Sequence, residues 1–326
     1  MPKTVYDAMF YNDQPDLRPL GFQPIYMMDD GVVNRAGYPE DNNVSPSGLN
    51  TESAFRRVAR AAIGVQDDIV QHSYCRPKAY NRVYRPVCMD FEDQQMLNAL
   101  DGASTDSRKR IEYIDFITHR IKNMREEAAY HGQSVFVGSY CPMWKFANLN
   151  SNDPSFKGRM EIVEKDMQPL VDALDAFFPP CEIHSPDLEL WKTNVRAVID
   201  YAKVIAPDKP IYPLVPPHYS HYADPSIRWY LMSPTKMWIP AITWLLQQPE
   251  INGMIMWGGW KFLHPTTALK GKSENEELYN IFRRPYMPEP TRLQKIASLR
   301  TGSEWFDPWL PIRTFAINAG LIGQKS

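Results

Sequence analysis

The sequence predicts an α/β protein built as a (β/α) TIM-like barrel, irregular or with seven strands, that carries a C-terminal extension. Strand-like and helix-like segments alternate over residues 22–260, which is typical of a mainly parallel sheet with helical crossovers. No Gly-x-Gly-x-x-Gly or Walker sequence follows the first predicted strand, so the usual reason for an open nucleotide-binding sheet is missing. Several predicted strands end in acidic or aromatic residues, as strands do at the catalytic face of a barrel.

The composition shows no strong charge bias. The 326 residues include 36 Lys and Arg against 38 Asp and Glu, a formal net charge of -2, without a long block of like charges. We therefore expect no nucleic-acid partner and no membrane partner. The first residues lack the apolar core of a signal peptide, and no run approaches the roughly 18 apolar residues of a membrane span. We expect a soluble protein, either cytoplasmic or part of a particle or assembly.

The cysteines show no metal-ligand spacing, and three of the four lie within apolar, strand-like runs: Cys75, Cys88, Cys141 and Cys181. This pattern favours reduced core thiols over disulfides or metal ligands. A thiol nucleophile at Cys88 with His184 as its base has no supporting spacing.

The N-terminal part of the chain predicts one strand and one helix separated by a long loop. Residues 1–21 are polar and contain proline, which predicts an irregular lead-in. The segment 23–30 is an apolar run that ends in two acids, and it is the first predicted strand. Gly, Pro, Asn and Ser indicate a long loop over residues 31–50. Apolar residues at helical spacing from Phe55 to Ile63 predict a helix.

The segment 86–93 reads Pro-Val-Cys-Met-Asp-Phe-Glu-Asp and runs from a buried-strand pattern into three carboxylates. Successive side chains of an extended strand alternate between its two faces. One face is therefore predicted to carry Val87, Met89 and Phe91, and the other Cys88, Asp90 and Glu92. Two carboxylates on one face repel each other, which is costly for stability and common at catalytic sites.

The remaining elements continue the alternation as far as residue 264. Helices are predicted over 107–131, Val163–Leu174, Trp191–Ile199 and Trp238–Leu246, and strands over 134–142, 181–185, 210–216 and 251–260. Residues 1–264 are thus predicted to form the barrel domain, and residues 265–326 a helical and aromatic extension packed on it. The aromatic loop Trp305–Trp309 is expected to pack there or to anchor a protein partner.

Asp90 and Glu92 are the expected centre of the chemistry. They lie two residues apart, about 6.5 Å along the strand, and leave the same face. Glycosidases that use two carboxylates place them on opposite sides of the scissile bond, so this pair cannot supply both groups. Either another strand supplies the opposing carboxylate, from Glu182, Asp29 or Asp30, or the substrate supplies its own nucleophile through an N-acetyl group.

Other interpretations of these acids stay open. If the substrate supplies its nucleophile, Glu92 is the proton donor and Asp90 orients the acetamido group. The acids at the strand ends could instead hold a hard cation. Glu182 could form a structural hydrogen-bonded pair with His184.

Short motifs resemble a known family. Asp90-Phe-Glu92 on a barrel strand resembles the Asp-x-Glu of the hyaluronidases, glycoside hydrolase family 56, and more distantly the end of the motif of the chitinase-like family 18. Val137–Tyr140, Ile211–Pro213 and Ile255–Gly258 resemble the later tyrosine- and tryptophan-bearing strands of such barrels, which line the sugar subsite. The resemblance covers only short segments within residues 22–260, and the chain lacks the signal peptide and disulfide framework of hyaluronidases.

The expected function is that of a glycoside hydrolase acting on a polysaccharide, which the resemblance implies to contain N-acetylhexosamine. Glu92 is the expected general acid, Asp90 its helper and Glu182 a further catalytic candidate. The expected substrate-binding residues are Asp29, Asp30, Tyr140, Tyr212, Trp257 and Trp260. The expected partner is a carbohydrate, and no cofactor or metal is expected. The alternative is a non-catalytic barrel that acts as a glycan-binding or structural subunit of a larger assembly.

Overall fold

The computed structural model describes residues 3–9, 16–29, 52–67, 82–90, 107–139, 165–220, 223, 234–258 and 315. Within these residues the strands are Thr4–Met9 (β1), Gln23–Pro24 (β2), Tyr26–Asp29 (β3), Val87–Asp90 (β4), Val137–Ser139 (β5), Ala176–Phe177 (β6), Leu214–Val215 (β7) and Gly253–Gly258 (β8). The helices are Glu52–Ala62 (α1), Ser107–Tyr130 (α2), residues 165–173 (α3), Leu188–Ile205 (α4) and Ile239–Gln247 (α5).

The strands form two parallel sheets with helices between consecutive strands. One sheet has the order β2-β1-β8-β7 and the other the order β3-β4-β5-β6. Every pairing between these strands is parallel. In the described part of the chain, an α-helix lies between each strand from β3 onwards and the next strand, because parallel neighbours need a crossover. The predicted α/β class with parallel strands is confirmed.

Backbone contacts continue beyond the two sheets. Phe177 at the end of β6 forms a parallel bridge with Ile211, and Pro180 forms one with Leu214 of β7. The Leu214 amide donates to the Pro179 carbonyl at 2.8 Å, and the Cys181 amide donates to the Leu214 carbonyl at 2.8 Å. On the other side, β2 pairs with β1 while β3, only one residue further along the chain, pairs with β4.

Alternation along the strands divides the buried side chains into two clusters. In β4, Val87 and Met89 belong to a larger cluster that also contains the apolar faces of the helices. Cys88 belongs to a smaller cluster drawn from the opposite faces of the strands: Ala8, Ile25, Cys88, Ala176, Phe178, Leu214 and Ile255. The predicted division of faces is therefore confirmed for residues 87–89.

The N-terminal segment differs from its prediction. Residues 1–21 were expected to be an irregular lead-in, whereas Thr4–Met9 is a strand between β2 and β8. Asp7 interrupts its apolar pattern, and Asp is disfavoured in strands. In the structure Asp7 is fully buried and one of its carboxylate oxygens accepts a hydrogen bond from the Met9 amide at 3.0 Å. A local hydrogen bond thus helps to accommodate an acid that the strand pattern does not predict.

Two further strands begin at different residues from those predicted. The strand expected at 181–185 starts earlier, at Ala176, and bridges at Pro180 and Ile183 continue its pairing. The strand expected at 210–216 has Leu214–Val215 as its regular part, because prolines interrupt the ladder. From the C-terminal extension the structure describes Phe315, which is buried in the larger cluster, and the division into domains stays a prediction.

The longest described helix is α2, and it carries many charges. Among the described helices, none combines the length and the apolar character that crossing a membrane requires.

Gly138 in β5 provides a test of packing in the smaller cluster. A Cβ atom there would lie closer than 3.0 Å to three ring atoms of Phe178. We expect Gly138→Ala to lower the free energy of unfolding by about 1–3 kcal/mol, because strand and ring cannot both keep their positions. Phe178→Leu in the same chain should recover part of the loss. Urea unfolding measures both variants. Gly132→Asn is the control, since nothing lies within 4 Å of a Cβ at Gly132 and Asn tolerates the left-handed backbone there, with φ at 68°. Equal stabilities of Gly138→Ala and wild type would contradict the packing.

Arg196 joins α4 to the turn before β8. Its guanidinium donates to both carboxylate oxygens of Glu250, at 2.8 Å and 3.1 Å, and its Nε donates to Asp200 at 2.9 Å. The hydrogen bonds from Arg196 lower the pKa of Glu250. The carboxylate form is favoured in the folded state, so this stabilisation is present above the pKa of the unfolded chain and is lost as pH falls through the lowered folded pKa.

The pH dependence of unfolding tests this ion pair. We expect Arg196→Met to lower the free energy of unfolding at pH 7 by about 0.5–1 kcal/mol, since both side chains are about a third exposed to solvent. The variant should also lose less stability than wild type when the pH falls below about 4.5. Urea unfolding across this range measures both effects. Lys192→Met, which removes an ion pair within α4, is the control. Parallel pH curves for wild type and Arg196→Met would contradict the assignment.

Candidate functional site

Two acids lie side by side at the carboxyl ends of β3 and β4. The Cα atoms of Asp29 and Asp90 are register partners. Asp90 is half-buried, with its Oδ1 atom inaccessible to solvent. By alternation, Asp90 lies on the same face as Cys88, and therefore on the side of the smaller cluster. For Asp29 the structure describes the backbone only.

Glu182 and Ser220 form the second polar part of the site. The Ser220 hydroxyl donates a hydrogen bond to Oε2 of Glu182. The Ser220 amide donates to the Ile183 carbonyl at 2.9 Å, and Ile183 forms a parallel bridge with Tyr219. Ser220 is only 2% exposed, whereas Glu182 is half-buried. Backbone pairing thus fixes the position of the Ser220 hydroxyl, while the Glu182 side chain is partly exposed to solvent.

Alternation places Glu182 on the same side of the sheets as Asp90. Phe178 belongs to the smaller cluster, while Cys181 and Ile183 belong to the larger one. Glu182 lies between these last two residues and shares its face with Phe178. The structure therefore places two of the predicted acids on one side of the same parallel sheet, near the carboxyl ends of strands that have β5 between them.

Two histidines lie next to this pair along the chain. His218 is 5% exposed, and its Nδ1 lies 3.1 Å from the Tyr219 carbonyl oxygen. A carbonyl only accepts hydrogen bonds, so Nδ1 carries a proton. His184 is half-buried, two residues beyond Glu182 on the same face. Both residues make further interactions in the structure.

The predicted aromatic residue Tyr212 lies in an aromatic group. Its ring centroid is 5.3 Å from that of Tyr6 and 5.9 Å from that of Phe178, in both cases edge to face. Burial raises the pKa of Tyr212 and of Tyr6. All three rings lie in or against the smaller cluster. The sequence pointed to Tyr212 but did not single out Tyr6 or Phe178.

Trp257 is the other predicted aromatic residue that the structure describes. It is the penultimate residue of β8, its register partner is Ala8 in β1, and it packs partly buried against the smaller cluster. Trp257 thus lies near the carboxyl end of its strand, as Asp90 does in β4. The remaining predicted site residues lie outside the described part of the chain: Asp30, Glu92, Tyr140 and Trp260.

The chemistry open to the described residues is that of carboxylates. Within the described part of the chain, no three His, Cys, Asp or Glu side chains are grouped closely enough to hold a metal ion. The side chains of Cys88 and Cys181 are buried. Burial raises the pKa of the Cys181 thiol. A buried, protonated thiol is a poor nucleophile.

Sequence reasoning missed Ser220 and His218. Both follow the proline-rich segment 210–216, and period-two alternation from Leu214 would have placed them on the face of the smaller cluster. The run Pro216-Pro217 concealed this continuation, because consecutive prolines indicate the end of a strand.

No protein-family model matches the sequence, and a comparison with curated proteins finds no match either. The similarity to hyaluronidases and chitinase-like enzymes therefore rests on short motifs alone.

Proposed function

We propose that this protein is a glycoside hydrolase with its active site at the carboxyl ends of the strands of a (β/α) barrel. The observation that carries the proposal is the placement of Asp90 and Glu182, two half-buried acids on the same side of one parallel sheet, on strands that have β5 between them. Acids that converge at this end of a parallel sheet are typical of barrel active sites. Cleavage of a glycosidic bond needs such carboxylates and no cofactor.

The strand pairing supports barrel closure. Among the described residues, seven parallel segments neighbour one another in a cycle, because segment 23–29 pairs with both β1 and β4 and Phe177 bridges to Ile211. When the residue pairings are followed from strand to strand once around this cycle, the path returns to its starting strand about eight residues from where it began. This offset, called the shear, has the same value in TIM barrels. Each of the seven segments, or the residue just before it, contributes a side chain to the smaller cluster or to the residues packed against that cluster. The side chains that fill the interior of a barrel come from its strands in the same way.

The mechanism assigns different tasks to the acids. Glu92, two residues beyond Asp90 in the sequence, donates a proton to the oxygen of the leaving sugar. Asp90 supports that step. The group on the other side of the bond is either a second carboxylate or an acetamido group of the substrate. Trp257 provides an aromatic face near the same strand ends, of the kind that packs against sugar rings.

The substrate proposed is a polysaccharide that contains N-acetylhexosamine. This choice rests on the resemblance of Asp90-Phe-Glu92 to the hyaluronidase motif. A panel of hyaluronan, chitin and cellulose oligosaccharides covers this class and one class without an acetamido group.

Glu92→Gln tests the proposal. We expect wild type to cleave at least one oligosaccharide of the panel and Glu92→Gln to lose about 10²–10⁴-fold in kcat, because the amide cannot donate the proton. Reducing-end release measures turnover, and thermal unfolding checks the fold. Glu112→Gln is the matched control, since Glu112 lies on the exposed part of α2. Undiminished hydrolysis by Glu92→Gln would refute the assignment. Binding of the panel without cleavage by wild type would favour the alternative, a non-catalytic glycan-binding barrel.

A further inference from the structure

We infer that Glu182 and Ser220 form a substrate-binding element of the proposed active site, and that its negative charge selects oligosaccharides of uncharged N-acetylhexosamine over hyaluronan. Glu182 accepts a hydrogen bond from a sugar unit, while Ser220 is a positioning residue that orients the carboxylate. The inference rests on the proposed function and names its substrate class, since every second sugar of hyaluronan carries a carboxylate.

The surroundings of Ser220 show that it acts through Glu182. Ser220 is 2% exposed, which is too little to contact a sugar, and its hydroxyl donates to Oε2 of Glu182. Its amide donates to the carbonyl of Ile183 at 2.9 Å, and Ile183 directly follows Glu182 in the chain. Backbone pairing and a side-chain hydrogen bond therefore hold the serine and the carboxylate in one arrangement. A carboxylate held in this way loses little rotamer freedom when a ligand binds.

Glu182 has the capacity to bind a ligand in addition to Ser220. A carboxylate has about four acceptor sites on its two oxygens, and the bond from Ser220 uses one of them. The side chain of Glu182 is half-buried and thus remains partly exposed to solvent. Sugar hydroxyls and the N–H of an acetamido group are hydrogen-bond donors, and their bonds to a charged acceptor are stronger than those to a neutral one.

The charge on this side of the sheet distinguishes the candidate substrates. Alternation places Asp90 on the same side as Glu182, and Trp257 packs against the smaller cluster there. Among the described strand residues whose side chains lie on this side, none is Lys or Arg. A uronate would therefore meet acids of its own charge, which costs affinity. An uncharged sugar can instead pack against the indole and donate hydrogen bonds to the carboxylate.

The experiment compares chitin and hyaluronan oligosaccharides of equal length as substrates of wild type, Glu182→Gln and Ser220→Ala. We expect wild type to show a kcat/KM about 10-fold or more higher for the chitin oligosaccharides, and Glu182→Gln to lose most of this preference, because the amide keeps the shape of the side chain without its charge. Ser220→Ala should raise KM for chitin oligosaccharides about 3–10-fold with kcat within about twofold, since loss of uniform binding changes KM alone. Measurement at pH 8 limits the contribution of charge on His184 and His218, because histidine titrates near pH 6.5.

Two further variants match these substitutions. Ser220→Thr returns the hydroxyl and should restore a KM close to that of wild type. Glu189→Gln removes an exposed acid from the first turn of α4 and should leave the preference for chitin oligosaccharides unchanged. Thermal unfolding confirms that each variant is folded. Calorimetric titration of wild type and of Glu92→Gln with the same oligosaccharides measures binding separately from cleavage.

The outcomes distinguish failure of this inference from failure of the proposed function. An unchanged preference in Glu182→Gln, or equal use of both substrates by wild type, would overturn the role of charge. Loss of kcat with an unchanged KM in Glu182→Gln would place Glu182 in the chemical step and overturn its binding role. An unchanged KM in Ser220→Ala would overturn the positioning role. If wild type binds chitin oligosaccharides more tightly than hyaluronan but cleaves neither, the proposed function fails and the binding role stands; if it binds neither, both fail.

Discussion

The alternation of side chains across parallel strands is the constraint on which the rest of the structure depends. It sends Val87 and Met89 to the helices and Cys88 to the smaller cluster. The same rule places Asp90 and Glu182 on one side of the sheet, although they are 92 residues apart in the sequence and one strand lies between theirs. Asp7 alternates the other way, with Val5 and Met9 of the larger cluster, and is fully buried there, where a carboxylate needs hydrogen bonds such as the one that it accepts from the Met9 amide. The apolar pattern therefore also decides where carboxylates can work.

Proline shapes the strands that carry this site. Proline cannot donate a backbone hydrogen bond, so it shortens regular ladders. Its carbonyl still accepts: Pro210 accepts from the Phe177 amide at 2.9 Å, Pro179 from Leu214 at 2.8 Å and Pro213 from Ile255 at 2.8 Å. Regular strand structure around these residues is thus only two residues long in β6 and in β7, while pairing extends beyond it on both sides.

The sequence predicted elements whose pattern is unbroken and missed those where a polar residue or proline interrupts it. The start of β4 and both ends of α2 were placed within a residue, because Val87–Asp90 alternates cleanly and the apolar residues of Ser107–Tyr130 recur at helical spacing. β1 was missed because Asp7 breaks its pattern, and the hydrogen bond from the Met9 amide is visible only in the structure. Asp90 and Glu182 could be predicted individually. The bond to Ser220 could not, because it depends on the register of two strands.

An irregularity in that register explains how Ser220 reaches Glu182. Pro180 pairs with Leu214 and Ile183 with Tyr219, so three steps along one strand match five along the other. The two extra residues make a bulge that contains consecutive prolines, and bulges beside active sites redirect side chains. Because the insertion is even, Val215 and Tyr219 both remain in the larger cluster. Ser220 accordingly remains on the same face as Glu182, although the bulge places Ser220 two residues later in its own strand than regular pairing would. An insertion of one residue would have turned the hydroxyl towards the helices, so the length of the bulge is itself a requirement of the site.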